Sequence, residues 1–176
     1  MRCTPALPIR HDYGIDTPVY TQITYDGLSR LTVTTFPDTG QATTSYQGLV
    51  KQVQDPRQHT TIYTYDVYQR LKATQDAYGT ITQYGYDTLG NLVQVIAASG
   101  QTEENTTTMT YDSLSEKRNM TDPDMGTWSY TYDPDMGRLS TLVTQKLDSG
   151  TPVATYQNLA YAYDLKGNIT TSAFFP

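Results

Sequence analysis

Cysteine is all but missing from this chain: Cys3 stands alone among 176 residues. No internal disulfide can form, so a small cystine-stapled scaffold is excluded, while export is neither shown nor ruled out. Charge is also scarce, at 17% Asp, Glu, Lys and Arg, and 12 cations against 18 acids leave a net charge of −6. An acidic chain with scattered Lys and Arg lacks the basic footprint of a nucleic-acid binder and has no attraction for anionic membrane surfaces. No apolar run approaches the roughly 20 residues that span a bilayer as a helix, so no transmembrane segment is expected. The segment Met1–Pro8 has no apolar stretch of signal-peptide length. Histidine is limited to His11 and His59. Leu, Ile and Val are sparse, and no window sustains the i, i+3, i+4, i+7 stripe of an amphipathic helix.

What the chain has instead is tyrosine, 16 residues, and threonine, 31 residues. Both suit a pleated surface better than a helix, and with so few aliphatic residues the core is expected to be built of tyrosine rings and threonine methyls. The tyrosines are ordered. Tyr-Asp recurs at Tyr25-Asp26, Tyr65-Asp66, Tyr86-Asp87, Tyr111-Asp112, Tyr132-Asp133 and Tyr163-Asp164, with a degenerate copy at Tyr46-Gln47, at intervals of 21, 19, 21, 25, 21 and 31 residues. A period near 20 is one supersecondary unit copied along the chain, each copy leaning on its neighbours. It points to a structural or binding array and away from an enzyme with one pocket.

Each copy has the same grammar. Two residues before the motif Tyr stand Ile23, Thr44, Tyr63, Tyr84, Met109, Tyr130 and Tyr161, six of the seven large and apolar or aromatic. Period-two alternation predicts a strand with one buried face, on which Tyr63 and Tyr65 point one way and Ile62 and Thr64 the other. The Asp opens a turn, its carboxylate accepting from the backbone N–H two residues on. Gly90, Gly137 and Gly167 fall in the loop, and Leu31, Leu71, Leu92, Leu139 and Ile169 start the returning strand. A second turn, as in Pro37-Asp38-Thr39-Gly40, Asp55-Pro56 or Asp122-Pro123-Asp124-Met125-Gly126, closes the unit. The expected fold is all-β, with repeated antiparallel hairpins in one continuous, curved sheet. The expected organisation is an irregular segment over 1–19, an array of about seven repeats over 20–171 and a tail over 172–176.

The frame Tyr-Asp-x-x-Gly-Arg-Leu, with a Gly-containing turn and a Tyr-x-Tyr strand, resembles the YD repeat, or Rhs repeat, of bacterial Rhs proteins, the B and C components of insecticidal Tc toxins, and teneurins. The nearest matches are Tyr65-Asp66-Val67-Tyr68-Gln69-Arg70-Leu71, Tyr86-Asp87-Thr88-Leu89-Gly90-Asn91-Leu92 and Tyr163-Asp164-Leu165-Lys166-Gly167-Asn168-Ile169. Tyr25 to Leu31 keeps Arg and Leu but has Ser for Gly, Tyr132 to Leu139 has one extra residue, and the Tyr111 copy has lost Gly-Arg-Leu. The resemblance implies a β-sheet that spirals into a hollow shell around a C-terminal toxin, or a barrel-like extracellular scaffold. It also implies partners: further YD repeats, a toxin or cargo polypeptide, or cell-surface carbohydrate or protein. No Asp-Pro-x-Gly-Leu core segment and no C-terminal effector domain is legible, and seven repeats are too few to enclose a cavity. A piece of a shell, or a truncated relative, is therefore expected, secreted or surface-exposed as part of a larger exported protein.

Chemistry has little to work with, and the reading assigns no catalytic residue, no cofactor and no metal. His59, with Arg57 and Gln58, reads as a solvated turn histidine; Cys3 has no partner to activate it. The pentapeptide Asp-Pro-Asp-Met-Gly at Asp122–Gly126 and Asp133–Gly137 offers oxygen ligands for Ca²⁺ but not the spacing of an EF-hand loop, and turn formation accounts for it. The Tyr-Asp series could be a ladder of acids or a sugar-stacking platform, but turn and core roles explain the same residues. The Asn-x-Thr triplets at Asn105, Asn119 and Asn168 matter only in a eukaryotic secretory protein.

Overall fold

The computed structural model describes residues 9–11, 19–148, 151–164 and 166–175. Cys3 lies outside them, and so do residues 12–18. Every regular element among the described residues is a β-strand. The chain divides into two units, residues 1–81 and 82–176.

In the first unit lie β1 (Ile9–His11), β2 (Val19–Tyr25), β3 (Leu31–Thr35), β4 (Gln41–Gln47), β5 (Val50–Gln54), β6 (Thr60–Tyr65) and β7 (Leu71–Gln75). The second holds β8 (Ile81–Tyr86, all but its first residue), β9 (Leu92–Ala97), β10 (Asn105–Tyr111), β11 (Lys117–Asp122), β12 (Gly126–Tyr132), β13 (Leu139–Asp148), β14 (Thr151–Tyr163) and β15 (Ile169–Phe175). Within each unit the strands pair antiparallel in chain order. Six strands end on the motif Tyr, and the returning strand starts on Leu31, Leu71, Leu92, Leu139 or Ile169 as the repeat predicts. Strand β1 and the end of β15 lie outside the 20–171 span expected for the array.

Register divides the first unit's sheet into two faces, because residues directly opposite one another share a face. Tyr46 opposes Lys51, Lys51 opposes Tyr63, Tyr63 opposes Thr74 and Tyr65 opposes Leu71. The other face pairs Thr43 with Gln54, Gln54 with Thr60 and Ile62 with Gln75. The second unit repeats the scheme: Met109 opposes Met120, Met120 opposes Trp128 and Tyr130 opposes Leu142, while Thr108 opposes Thr121 and Asn119 opposes Ser129. Aromatic and aliphatic residues thus share one face with the motif Tyr, as predicted. Thr, Gln, Asn and Ser dominate the other, where Asn119 donates to Thr110 at 3.2 Å and Ser129 to Asn119 at 3.1 Å.

Among the described residues the buried core expected from the tyrosines is absent. Met109 is the only buried apolar side chain among the described residues, with Thr21 and Thr144 covered to the same degree. Strands β3 and β6 are half-covered at every position instead of alternating. The reason is that side chains on a single layer of sheet are covered only by their neighbours within it. Tyr63, Tyr65, Tyr84, Tyr86, Tyr130, Tyr132, Tyr161 and Tyr163 are neither buried nor fully exposed.

Candidate functional site

The part of the molecule that repeats with fixed geometry is the turn. Eight turns, starting at Asp26, Phe36, Asp55, Asp66, Asp76, Asp87, Asp112 and Asp164, have one hydrogen-bond pattern. The first residue's N–H donates to the carbonyl four residues on, and the N–H three residues on donates back to its carbonyl. The fourth residue has positive φ in all eight: Ser29, Thr39, Gln58, Gln69, Gly79, Gly90, Ser115 and Gly167. This is the three-residue hairpin loop, a type I turn followed by a left-handed residue. The opening turns at Asp26, Asp66, Asp87, Asp112 and Asp164 and the closing turns at Phe36, Asp55 and Asp76, which differ in sequence, are therefore built alike.

Asp fits the first position because its carboxylate has two jobs. Oδ1 of Asp66 accepts from the N–H of Tyr68 at 2.9 Å and of Arg70 at 2.9 Å, while Oδ2 accepts from Arg70 Nε at 2.7 Å. Asp26 repeats this with Leu28 and Arg30, and Asp87 and Asp164 do so with the side-chain amides of Asn91 and Asn168. The sequence reading foresaw the first bond and missed the partner four residues on. His59 is such a partner: it stays exposed, as a turn histidine is expected to be, and its Nδ1 lies 3.1 Å from Asp55 Oδ2 across the closing turn. The donors hold these carboxyls below the usual carboxylate range, through the N–H of Arg30 at Asp26 and the amide of Asn91 at Asp87. At Asp66 burial opposes the shift and the Arg70 donors outweigh it.

Beside each of the six Tyr-Asp turns the register shifts opposite the motif Tyr, at Thr24/Tyr25, Thr64/Tyr65, Gly85/Tyr86, Thr110/Tyr111, Thr131/Tyr132 and Ala162/Tyr163. Thr32, Lys72, Val93, Arg118, Ser140 and Thr170 are the extra residues. Each is a bulge that locally increases twist. The Tyr46 copy is the control. It has Gln47 where the others have Asp, a two-residue loop at Gly48-Leu49 with φ 58 at Gly48, and no shift in register.

Arginines of one copy also reach the next, Arg30 and Arg118 while clamping their own Asp and Arg138 while donating to the Asp164 carbonyl at 3.2 Å. The Arg30 guanidinium lies 4.2 Å from the centre of the Tyr46 ring, Arg118 5.1 Å from Tyr132 and Arg138 5.5 Å from Tyr163. In the Tyr111 copy, which lost Gly-Arg-Leu, the cation comes from the bulge residue Arg118. It pairs with Asp112 and, at 2.9 Å, with Glu116. Burial and the Asp112 carboxylate push Glu116 up. Burial also raises Tyr111, Tyr130 and Tyr132. Beside two of these contacts lie open clefts of about 340 Å³ each. One is bordered by Arg30, Tyr46, Leu49, Lys51 and Tyr65, the other by Asp133, Met136, Arg138, Tyr161 and Tyr163.

The other candidates separate. Asp122 Oδ1 accepts from the N–H groups of Asp124 and Met125 and Oδ2 from Thr107 at 2.5 Å, so both oxygens serve the turn. Asp133 Oδ1 likewise takes the N–H groups of Asp135 and Met136. Among the described residues no three His, Cys, Asp or Glu side chains converge on a point that could hold a metal. No helix among them is long and apolar enough to cross a membrane.

Comparison with known proteins agrees with the repeat. The RHS Repeat family model matches residues 70–102. No curated protein sequence matches the chain. In fold it is similar to the TcdB2-TccC3-Cdc42 crystal structure, with a TM-score of 0.71 and 20% identity over 96% of this chain and 10% of that one. It is also similar to TcdB2-TccC3 without its hypervariable C-terminal region (TM-score 0.71, 21% identity, 96% and 10%). The Tc holotoxin pore of Photorhabdus luminescens gives a TM-score of 0.70 at 19% identity over 92% of this chain and 9% of that one. The chain thus spans about a tenth of the length of the solved chains it matches. The resemblance to the YD, or Rhs, repeat and the all-β hairpin fold hold.

Proposed function

We propose that this chain is a non-catalytic wall segment of a YD-repeat shell that encloses or presents a polypeptide cargo, and that it is exported as part of a larger assembly. The observation that carries this reading is the clasp. Each Tyr-Asp turn is held by its own Asp, and Arg30, Arg118 and Arg138 each rest on the Tyr of the following copy, Arg30 and Arg118 while also pairing with the Asp of their own turn. Such a unit propagates a sheet of any length without a core, which is what a wall needs and a compact enzyme does not. The similarity in fold to TcdB2-TccC3 assemblies supports partners among further repeats. The test is to express the chain together with the coding sequence that flanks it, purify the product and treat it with protease. A co-purifying polypeptide that resists digestion until the repeats are denatured is the expected result; digestion of everything except the repeats at native pH rejects the enclosure reading. The second reading is an adhesion module for carbohydrate or protein, favoured by the half-exposed aromatic rows. Binding of the isolated chain to immobilised glycans, lost in Tyr84→Ala, would select it.

A further inference from the structure

The two clefts of about 340 Å³ are built to one plan and differ in charge. Each lies where an arginine of one copy rests on the Tyr of the next, Arg30 on Tyr46 in the first unit and Arg138 on Tyr163 in the second. Asp133, Asp135 and Asp164 border the second cleft, with Arg138 as its cation. The first is bordered by Arg30, Lys51, Tyr46, Tyr65, Leu49 and Gln69, and no acid lines it. Part of the difference traces to the degenerate copy, in which Gln47 follows Tyr46 where Asp164 follows Tyr163. In a chain of net charge −6, a cleft with two cations and no carboxylate stands apart from the surface around it.

Arg30 is neutralised within its own turn, since the guanidinium pairs with Asp26 at 2.8 Å. Lys51 is not: no carboxylate among the described residues pairs with it. Strand register places Lys51 between Tyr46 and Tyr63, and its ammonium lies 5.6 Å from the centre of the Tyr63 ring. That cation–π contact accounts for where the side chain lies, yet the ammonium N–H donors have no acceptor among the described residues. The hydroxyls of Tyr46 and Tyr65 likewise have no partner among the described residues, whereas in the second cleft the Tyr163 hydroxyl donates to the Leu139 carbonyl at 2.7 Å. The Tyr65 N–H donates to the Leu49 carbonyl at 2.8 Å, which ties the β4–β5 hairpin to the end of β6 and fixes one wall of the first cleft.

One unpaired ammonium matches a singly charged anion; a phosphate dianion is met by several donors or an Arg fork. The phenols and the Gln69 amide suit hydroxyl groups, and the ring faces suit a carbon-bearing surface. A pyranose presents both together. The volume of about 340 Å³ lies at the small end of ligand sites. We propose that the cleft of the Tyr46 copy binds a carboxylate-bearing sugar, with its carboxylate on Lys51 and its hydroxyls toward Tyr46 and Tyr65. The proposal rests on the adhesion reading and is independent of the wall reading. The experiment is titration calorimetry of the intact chain with sialyllactose, trigalacturonate, lactose and inorganic phosphate. The two acid sugars separate a sialic acid cap from a uronate polysaccharide, and binding of either supports the site. The expected result is acid-sugar binding that weakens about tenfold or more in Lys51→Gln and persists in Lys51→Arg, with lactose bound far more weakly. An unchanged thermal transition shows that Lys51→Gln still folds; should it not, Tyr46→Phe, which removes only a hydroxyl, should weaken binding about threefold. Acid sugars that fail to bind, lactose bound as tightly, or binding indifferent to Lys51→Gln each overturn the proposal. Phosphate displacing the sugar at equal concentration would make the cleft a site for any anion and also reject it. If other glycans bind, acid sugars do not, and Tyr84→Ala abolishes that binding, the cleft is rejected and the adhesion reading stands; no glycan binding at all rejects both.

Discussion

Thr39 shows what a single position contributes. It sits at φ 69, where a turn needs a left-handed residue and where a β-branched side chain is crowded. That conformation costs an L-residue about 1–2 kcal/mol, part of which glycine gives back as chain entropy on folding. Thr39→Gly should therefore raise stability by about 0.5–1 kcal/mol in urea unfolding. A loss would mean the hydroxyl or methyl has a role the geometry does not show. The carboxylates act at the same scale. Asp26, Asp66, Asp87 and Asp164 titrate below the ordinary value when folded. Their contribution is complete above the unfolded-chain value, about pH 4, and is lost as pH falls through the depressed folded values. The unfolding midpoint should hold from neutrality to about pH 4 and then drop. The double variant Asp66→Asn/Asp87→Asn should be weaker at neutrality and flatter in acid; a parallel downward shift at every pH would contradict the assignment.

Among elements, the contact between copies is measurable. Arg30 and Tyr46 come from consecutive repeats, and their pairing at 4.2 Å is a cation–π contact at a half-exposed site. A double-mutant cycle of Arg30→Ala and Tyr46→Ala should return a coupling of about 0.5–1 kcal/mol. Zero coupling would reduce the clasp to coincidence. Gly126 tests how β12 meets β13. It has φ 88, and a Cβ there would lie 2.0 Å from the Gln145 carbonyl oxygen, whereas Gly100, at φ 77, has open space around it. Gly126→Ala should cost about 3 kcal/mol or more, backbone strain plus overpacking, and Gly100→Ala only the strain, about 1 kcal/mol. Strand ends and repeat boundaries were legible because one motif sets both: the Tyr closes a strand, the Asp turns, and the Leu reopens. The likeness of the closing turns to the opening ones was hidden because Phe36 stands where Asp55 and Asp76 keep the carboxylate, and no Tyr precedes any of the three. The spacing of Asp55 to His59, equal to that of Asp66 to Arg70, is the one signal in the sequence that could have shown it. The bulge residues Thr32, Lys72 and Val93 have no common chemistry, so no sequence pattern marks them.

At the scale of the whole chain, the sequence was misleading about the core. Sixteen tyrosines among few aliphatic residues suggest buried rings, yet alternation reports only which residues share a face, not whether a second layer covers that face. The half-covered rows mean that stability is a sum of neighbour contacts and not of one interior. Within the second unit, Met109 is the exception, a buried side chain between β9 and β11. Met109→Ala should cost about 2–5 kcal/mol, the range for emptying a filled site. Tyr84→Ala, from a half-covered row, should cost about 1–2 kcal/mol, and Tyr68→Ala, exposed in its turn, less than about 0.5 kcal/mol. Hydrogen exchange gives the sharper reading. If each hairpin depends on the next alone, Met109→Ala should strip protection from β9, β10 and β11 first and leave β14 and β15 nearly as slow as before. A uniform loss across all of these strands would show that the unit unfolds as one cooperative body, and the clasp would then be a detail of the turn and not the means by which the wall is held together.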